Sequence, residues 1–393
     1  MIFVVIPILL FLIFYKIKIR KLEPNNFECL SKEQTSSING IFVLIVFFVH
    51  FATYIPSPTV YDSLVNIIPV FGSQLIVVSF LFYSGYGLME SYKAKGTQYI
   101  KSIPTKRFLK LFIDFAIAVT LFLIVQTIIG NYFSISQILL SYTGWSGIGN
   151  SNWYIFATFC FYFIMFVSFM IFRKNKHLAL TLTTLLSITY VIVLYFVFNK
   201  ANQYYYNTFL CLPFGMWFSL YKENIIKFLS KWHTYLISLI LLIVSIVVLF
   251  SFYYYSPFVF NITAILFALT LFMLTMKFQI QNKILLWLGK YTFWIFILQR
   301  LPMIVFEKIG VANINTFLFA GLTLIATLLL AYVFNLLSEK ISNLIWKKPK
   351  KIKSENNKNT ENIDNKNSKE NIDNKANINN EINSDEIKTE TQN

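Results

Sequence analysis

One histidine lies inside an apolar stretch, where an ionisable side chain is costly and usually functional. His50 belongs to the segment INGIFVLIVFFVHFATYI and lies about 15 Å along a helix from Gly40. A neutral imidazole can take a proton from a hydroxyl near physiological pH, and moving an acyl group onto an alcohol requires this step. A histidine that joins two membrane helices through a hydrogen bond would give the same pattern.

A basic segment supplies the second set of candidates. Residues 90–110 read ESYKAKGTQYIKSIPTKRFLK and hold six cations. Arg107 and Lys110 are three apart at the start of a predicted helix, with Lys106 beside them. Since a guanidinium fork matches phosphate geometry, the segment could hold a phosphate-bearing donor such as coenzyme A. The positive-inside rule would place cations here in any case.

Hydroxyl groups and glycines lie just before the basic segment, in FLFYSGYGLMES. Ser84 and Tyr86 could donate hydrogen bonds to a ligand. Gly85 and Gly87 permit close approach of a helix or a ligand. Patches of small residues in membrane helices more often serve packing than binding.

Two polar segments, 56–66 and 130–152, have the composition of loops. They carry one charge between them, Asp62, and are rich in Ser, Gly, Asn, Pro, Tyr and Trp. The second leads into the sequence SYTGWSGIGNSNWY. Such an uncharged, aromatic and polar surface suits carbohydrate, because a sugar offers hydroxyls to amides and C–H faces to rings. An aromatic belt at the membrane interface with a flexible loop would look similar.

The composition determines which kind of fold must position these residues. Of the 393 residues, 56% are hydrophobic and only 13% are charged, whereas soluble proteins carry about 25% charged residues. The mean hydropathy is +0.60. These values exclude an ordinary soluble enzyme, a disordered chain and a small disulfide scaffold. The hydrophobic residues form runs near twenty long, which predicts an all-α polytopic integral membrane protein.

We predict eleven membrane spans. They cover residues 2–16, 38–55, 67–89, 108–129, 153–172, 178–198, 205–221, 232–252, 257–276, 286–305 and 314–337. The first is short for a bilayer and could be a signal peptide, but the cations that follow it favour a retained anchor.

The distribution of cations predicts the orientation. Alternate loops hold 31 Lys and Arg on one side and 3 on the other. Positive loops face the cytoplasm, so we expect the N-terminus outside and the C-terminus inside a plasma membrane. The formal net charge of +16 does not indicate nucleic-acid binding, because the cations lie between apolar runs.

The last part of the chain has a different composition. ENIDNK occurs at 361–366 and again at 370–375, within a tract rich in Asn, Lys, Glu and Asp. Such a tract cannot bury enough apolar area to offset chain entropy. We therefore predict that residues 347–393 form a disordered cytoplasmic tail.

Several chemistries lack their sequence signals. The chain has no Walker A sequence, no H-E-x-x-H and no G-x-S-x-G. Its three cysteines, Cys29, Cys160 and Cys211, have no spacing typical of a metal site or a disulfide framework. We expect neither a metal nor a bound cofactor.

Four segments resemble the integral membrane acyltransferases of the acyltransferase-3 family, which O-acylate surface glycans and lipids. They are SINGIFVLIVFFVHF (37–51), FLFYSGYGLMESYKAKGTQYIKSIPTKRFLKLF (80–112), NWYIFATFCFYFI (152–164) and LGKYTFWIFILQRLP (288–302). The resemblance covers roughly residues 36–340.

The resemblance implies a ten-helix domain and an acyl-CoA donor, usually acetyl-CoA, that enters from the cytoplasm. It also implies that His50 is catalytic and that Arg107 and Lys110 hold the donor. The chain departs from the family pattern in two places. Lys110 stands where relatives often carry a second arginine, and no carboxylate follows closely after Trp153.

From these residues we predict an O-acyltransferase, with acetyl as the group transferred to a hydroxyl of a cell-surface polysaccharide or glycolipid. His50 would be the general base. The other assigned residues are Arg107, Lys110, Lys106, Ser84 and Tyr86 for the donor and Asn152 and Trp153 for the acceptor. The predicted domains are an extra anchor (1–21), the acyltransferase domain (36–340) and the tail (347–393).

Two other functions would leave different signals in the sequence. A transporter or flippase for a glycan or lipid precursor would predict paired, broken helices with midplane charges, which the sequence does not suggest. A glycan polymerase would call for charged residues in a large outer loop, whereas 130–152 carries none.

Overall fold

The computed structural model describes residues 2–55, 74–198, 202–252, 256–280 and 282–346. The chain divides into two units, Met1–Lys340 and Ile341–Asn393. The first unit holds the residues discussed below. The predicted tail at 347–393 lies outside the described residues, as does the loop 56–66.

The described residues are almost entirely helical. The helices are α1 (Ile2–Phe14), α2 (Lys32–Ala52), α3 (Val78–Lys95), α4 (Thr97–Ile103), α5 (Lys110–Ile128), α6 (Ile135–Tyr142), α7 (Trp153–Ile171), α8 (Lys176–Phe198), α9 (Cys211–Leu229), α10 (Trp232–Phe250), α11 (Pro257–Lys277), α12 (Lys283–Lys290), α13 (Thr292–Leu298), α14 (Arg300–Lys308), α15 (Val311–Ile314) and α16 (Thr316–Ile345). Two short strands, β1 (Ile17–Ile19) and β2 (Phe278–Ile280), pair antiparallel.

Seven helices among the described residues are long and apolar enough to cross a membrane. The count becomes eight if α12 is joined to Thr292–Lys308, which continues it after a 65° bend. The protein is therefore an all-α polytopic membrane protein, as predicted. The count of eleven spans stays a prediction.

The other three predicted spans also fold as helices but are short or carry charges. α1 has 13 residues, about 20 Å of helix against a hydrocarbon core of about 30 Å. α3 and α9 end in charged residues and pack tightly against each other. A Cβ on Gly85 of α3 would collide with the carbonyl of Leu212 in α9, whereas Gly87 has no neighbour within 4 Å. Of the two predicted glycines, only Gly85 serves close packing here.

The packing of α2 against α12 positions His50. Ser31 caps α2, since its Oγ accepts from the Gln34 backbone N–H at 3.2 Å. Along the crossing, Gly40 faces the backbone of α12 so closely that a Cβ would collide with the Leu285 carbonyl. Toward its C-terminal end, which bears His50, α2 lies against α13.

The basic segment begins in the last turn of α3 and continues after Gly96 into one helix, Thr97–Ile128, with a π-helical turn at Pro104–Leu109 between α4 and α5. Pro104 lacks a backbone N–H and cannot make the ordinary helical bond, so the turn widens there. All side chains of the turn are exposed.

The N-terminal segment is attached through its backbone. Ile17 pairs with Ile280 in the two-stranded sheet, and the Arg20 N–H donates to the Lys277 carbonyl at 2.8 Å. The side chain of Asn282 donates to the Leu12 carbonyl at 2.8 Å. These bonds hold the segment after α1 against the connection between α11 and α12.

Candidate active site

His50 lies in the last turn of α2, where the helix ends before Pro56. Thr53 caps this end, since its Oγ1 donates to the His50 carbonyl at 2.7 Å. His50 is half-buried, and its ring lies 6.4 Å from that of Phe296 between centroids. Helix end and cap therefore fix the backbone of His50 while its imidazole faces an internal cavity.

Gln299 holds the imidazole. Its side chain is fully buried, and Nε2 lies 3.0 Å from Nδ1 of His50 and 3.1 Å from the Phe296 carbonyl. With Nε2 donating to both, Nδ1 is an acceptor and the neutral ring carries its proton on Nε2. With the amide reversed, Oε1 accepts from Nδ1–H and the ring Nε2 becomes free to take a proton. The amide of Gln299 thus selects the tautomer of His50.

A cavity of about 240 Å³ adjoins the imidazole. We name it the His50 cavity, after the residue at its floor. It is lined by Val46, Val49, His50, Gln74, Ile76, Val77, Asn150, Ser151, Asn152, Trp153, Tyr204, Phe296 and Arg300. The lining comes from α2, the turn just before α3, the loop before α7 with the first residue of that helix, the turn before α9, and α13 with α14. Segments far apart in the chain therefore meet at one histidine.

Polar atoms without partners concentrate in the His50 cavity. Gln74 Oε1, Asn150 Nδ2, Ser151 Oγ and Arg300 Nε are buried and make no hydrogen bond. Buried polar atoms are normally paired, and leaving one unpaired costs about 1–3 kcal/mol. Four such atoms in one cavity indicate a binding site for a polar ligand.

Asn152 is the residue that ties down the loop before α7. Its Nδ2 donates to the Gly144 carbonyl at 2.9 Å and to the Tyr205 hydroxyl at 2.7 Å. The Tyr205 hydroxyl in turn donates to the Trp145 carbonyl at 2.8 Å. Asn152 therefore shapes the cavity wall, and Trp153 contributes an aromatic surface beside it.

The predicted donor residues lie elsewhere. Neither Ser84, Tyr86, Lys106, Arg107 nor Lys110 lines the His50 cavity. Ser84 is connected to the cavity through one intermediate residue. It hydrogen-bonds to Tyr154, and the Tyr154 ring lies 5.5 Å from that of Phe296, which lines the cavity. The structure brings together His50, Asn152 and Trp153 and leaves the other five outside.

Three of these five residues lie among the cations of residues 90–110, which together with Lys222 we call the basic end. Lys106 and Arg107 are exposed on the π-helical turn, and the Arg107 guanidinium lies 5.9 Å from the Tyr99 ring centroid. Lys110 is engaged, with Nζ at 2.9 Å from Asp114 Oδ2 and 2.9 Å from Ser338 Oγ. Lys110 thus joins α5 to α16.

Tyr86 also contacts the basic end. Its hydroxyl accepts from Lys222 Nζ at 3.3 Å, and Lys222 pairs with Glu90 at 2.9 Å. Glu90 also accepts from Lys93 at 2.7 Å and from Ser219 at 2.8 Å. Tyr86 is therefore attached to a network of charges through its hydroxyl oxygen, which accepts from Lys222.

Sequence reasoning missed most of the cavity's polar lining. Arg300 is an ionisable residue within the predicted span 286–305, but the sequence alone assigns it no role. Asn150 and Ser151 lie in the segment predicted to suit carbohydrate, and Gln299 lies in a segment that resembles the family, but none of them received a role of its own, and Gln74 gave no signal. Only the tertiary contacts place them around one histidine.

One comparison with known proteins identifies the family of the chain. A family model described as an acyltransferase domain, that of the acyltransferase-3 family, matches residues 37–336. The match spans about three quarters of the chain and includes His50, Asn152, Gln299 and Arg300. The chain belongs to this family of membrane acyltransferases. The curated proteins and the solved structures gave no match.

Proposed function

We propose that the protein is an O-acyltransferase that moves an acetyl group from acetyl-CoA to a hydroxyl of a cell-surface polysaccharide or glycolipid, with His50 as the general base. The observation that carries the proposal is the position of His50 at a cavity whose polar atoms lack partners, within a matched acyltransferase domain. No nucleic acid takes part.

The chemistry needs few groups. The acceptor hydroxyl gives its proton to Nε2 of His50, and the oxygen attacks the thioester carbonyl of the donor. The C–S bond then breaks, and the coenzyme A thiolate takes the proton back from the imidazolium. A thiolate leaves readily, so positioning and oxyanion stabilisation are the main demands on the protein.

In the orientation described, Gln299 Nε2 donates to Nδ1 and leaves the His50 proton on Nε2, so the proposed role needs the reversed amide. General base catalysis at Nε2 requires Nδ1–H, which the Gln299 Oε1 would accept in the reversed amide orientation. That oxygen is buried and without a partner in the orientation described. Rotation of the amide would satisfy it and free Nε2 at the same time.

For the donor, we propose that Lys106 and Arg107 contact the phosphates of coenzyme A. Both are exposed and lie on one turn, which leaves their charges available. Lys110 is already paired with Asp114, so its contribution is to hold the helix that bears the other two.

The predicted topology sets the directions of approach. The basic end would face the cytoplasm and the His50 cavity the outside of a plasma membrane. Lys32 begins α2 on the predicted cytoplasmic side, and His50 lies about 27 Å from it along the helix. For direct transfer, the pantetheine arm of the donor must extend into the helical bundle, and no acyl group becomes attached to the protein.

The test compares membranes that hold equal amounts of wild type, His50→Ala or His233→Ala. His233 is an exposed histidine remote from the cavity lining and serves as the matched control. Acetyl-CoA labelled in the acetyl group is supplied, and label is followed into the glycan and lipid fractions of the envelope. We expect His50→Ala to lose transfer by about 10²-fold or more and His233→Ala to behave as wild type.

The outcomes separate the candidate functions. Transfer that persists in a well-inserted His50→Ala protein would contradict the general-base role. No labelled product with wild type, together with transport of a glycan or lipid precursor, would favour the transporter or flippase instead. The labelled fraction of a successful assay would identify the acceptor class.

A further inference from the structure

Among the described residues that line the His50 cavity, Arg300 alone carries a full charge. It is the first residue of α14 and follows Gln299, which holds the imidazole. The other polar residues of the lining are neutral amides, hydroxyls and an indole. The local field in the cavity is therefore positive.

No carboxylate in the described part of the chain balances this charge. The ion pairs described there are Arg20–Glu28, Lys93–Glu90, Lys110–Asp114 and Lys222–Glu90. Arg300 is half-buried, and its Nε is buried without a hydrogen bond. A buried polar atom without a hydrogen bond is costly, so this Nε is better satisfied when a ligand accepts from it.

The groups around Arg300 complement an anion. A guanidinium fork binds a carboxylate or phosphate in two parallel hydrogen bonds. Asn150 Nδ2 and Ser151 Oγ, both unpaired, can donate to the remaining oxygens of the anion or to a sugar hydroxyl. Gln74 Oε1 can accept from a hydroxyl. Three unpaired donors thus accompany one unpaired acceptor.

The cavity volume limits the ligand. Its 240 Å³ is below the range of about 300–1,000 Å³ typical of pockets for drug-sized molecules. One sugar-sized unit fits, and several do not. The charge must therefore be on the unit that enters the cavity.

We infer that the unit acylated at His50 is anionic, a glycan or glycolipid residue whose carboxylate or phosphate binds Arg300. The inference rests on the proposed acyl transfer and adds the charge of the acceptor. Arg300 then anchors the acceptor and turns one of its hydroxyls toward the imidazole. The alternative role for Arg300, binding the oxyanion of the tetrahedral intermediate, would not depend on the acceptor's charge.

The first experiment alters the acceptor. Glycan and glycolipid fractions that take up label with wild-type protein are treated before the assay in one of three ways. Carbodiimide activation with borohydride reduction removes carboxylates, aqueous hydrogen fluoride removes phosphates, and a mock treatment serves as the control. Loss of acceptor activity after reduction identifies a carboxylate, and loss after hydrogen fluoride identifies a phosphate. Full activity after both treatments would overturn the inference.

The second experiment alters the protein. We compare Arg300→Gln, Arg300→Lys and the exposed control Arg173→Gln at saturating acetyl-CoA. A lost hydrogen-bonded charge contact predicts a rise of more than about tenfold in KM for the acceptor with Arg300→Gln. We expect kcat to change little, Arg300→Lys to be intermediate and Arg173→Gln to match wild type. A fall in kcat with unchanged KM would assign Arg300 to the oxyanion and overturn the inference.

The two proposals fail in different ways. If wild-type membranes label no glycan or lipid at all, the proposed acyl transfer is wrong. If they label an uncharged acceptor, acyl transfer holds and the anionic acceptor is wrong. Equal amounts of each variant in the membrane exclude a folding defect as the cause.

Discussion

The basic end and the His50 cavity differ in whether their polar groups have partners within the chain. At the basic end, Lys110 contacts both Asp114 and Ser338, and Lys222 contacts both Glu90 and Tyr86. In the cavity, four polar atoms are buried without partners. The paired charges stabilise the packing of the helices, whereas the unpaired polar atoms indicate a binding site for a ligand. A polar group in a membrane protein is thus informative mainly through its partner.

The difference also separates two kinds of conspicuous residue. Asp114 lies in a predicted span and is buried, which makes it a functional candidate by sequence alone. Its pairing with Lys110, four residues earlier, gives it a structural role. Arg300 has comparable surroundings but no carboxylate in the described part of the chain, and this contrast places it in the site.

The strongest test of the comparison is Gln299→Leu. Leucine removes the only hydrogen bond described for the His50 ring, so the imidazole loses its fixed tautomer and orientation. We expect kcat for acetyl transfer to fall by about 10–100-fold, with KM for acetyl-CoA within about twofold. Steady-state kinetics on membranes with matched protein levels would measure both.

Gln299→Glu is the matched control, because its carboxylate can accept only from Nδ1–H and keeps Nε2 free. We expect it to retain more activity than Gln299→Leu. If both variants transfer acetyl at the wild-type rate, the amide does not select the tautomer of His50, and the contrast between the two regions is weakened.

A smaller effect is expected for Lys110→Ala. The substitution leaves the buried Asp114 carboxylate without its partner, which should cost about 1–3 kcal/mol of stability. KM for acetyl-CoA should stay within about twofold of wild type. Thermal unfolding in detergent and steady-state kinetics would test the two expectations.

Arg107→Ala provides the opposite pattern at the same end. Its side chain is exposed, so we expect unchanged thermal stability and a KM for acetyl-CoA raised by about threefold or more. A raised KM in Lys110→Ala without lost stability would mean that Lys110 holds the donor after all, as the sequence alone suggested.

The smallest effect concerns Cys29, which lies outside the spans and is 2% exposed. Burial raises the pKa of its thiol to about 12. Since the thiolate is the reactive form, only about one thiol in 10⁴ ionises at pH 8. We expect no labelling by a charged maleimide in folded protein and rapid labelling after unfolding, read by mass spectrometry.

Lys32→Cys in a Cys29→Ser background serves as the control, because residue 32 is exposed in the same region. It should react in the folded protein. Reaction of Cys29 at the same rate would show that solvent reaches its thiol in the folded protein, and the burial described for Cys29 would be wrong.

Sequence reasoning reached the fold class and the family, because long apolar runs and the segments around His50 are local signals. His50 and Arg300 also stood out locally, as charges beside apolar residues. The partners could not be foreseen. Gln299 becomes important only because α2 crosses α12 closely and brings residues 249 positions apart within 3.0 Å.

The helix count shows the same limit. The apolar residues of α3 and α9 predict membrane spans. Both helices also carry charged residues, and neither is among the seven described helices that are apolar enough to cross a membrane. Their close contact through Gly85 depends on a partner helix more than a hundred residues away. Hydropathy depends on one segment alone, whereas burial depends on that segment and on the helix that packs against it.

The two-stranded sheet has a consequence for how the protein is made. Ile17 pairs with Ile280, so the ribosome must add some 260 further residues before β1 meets its partner. At about 5–20 residues per second, that delay is about 13–50 s. Gln34 shares it, because its amide bonds to Phe278 and Ile280. The beginning of the chain thus remains unpaired while about two thirds of the 393 residues are synthesised, and His50 must wait for a similar 249 residues before Gln299 is added.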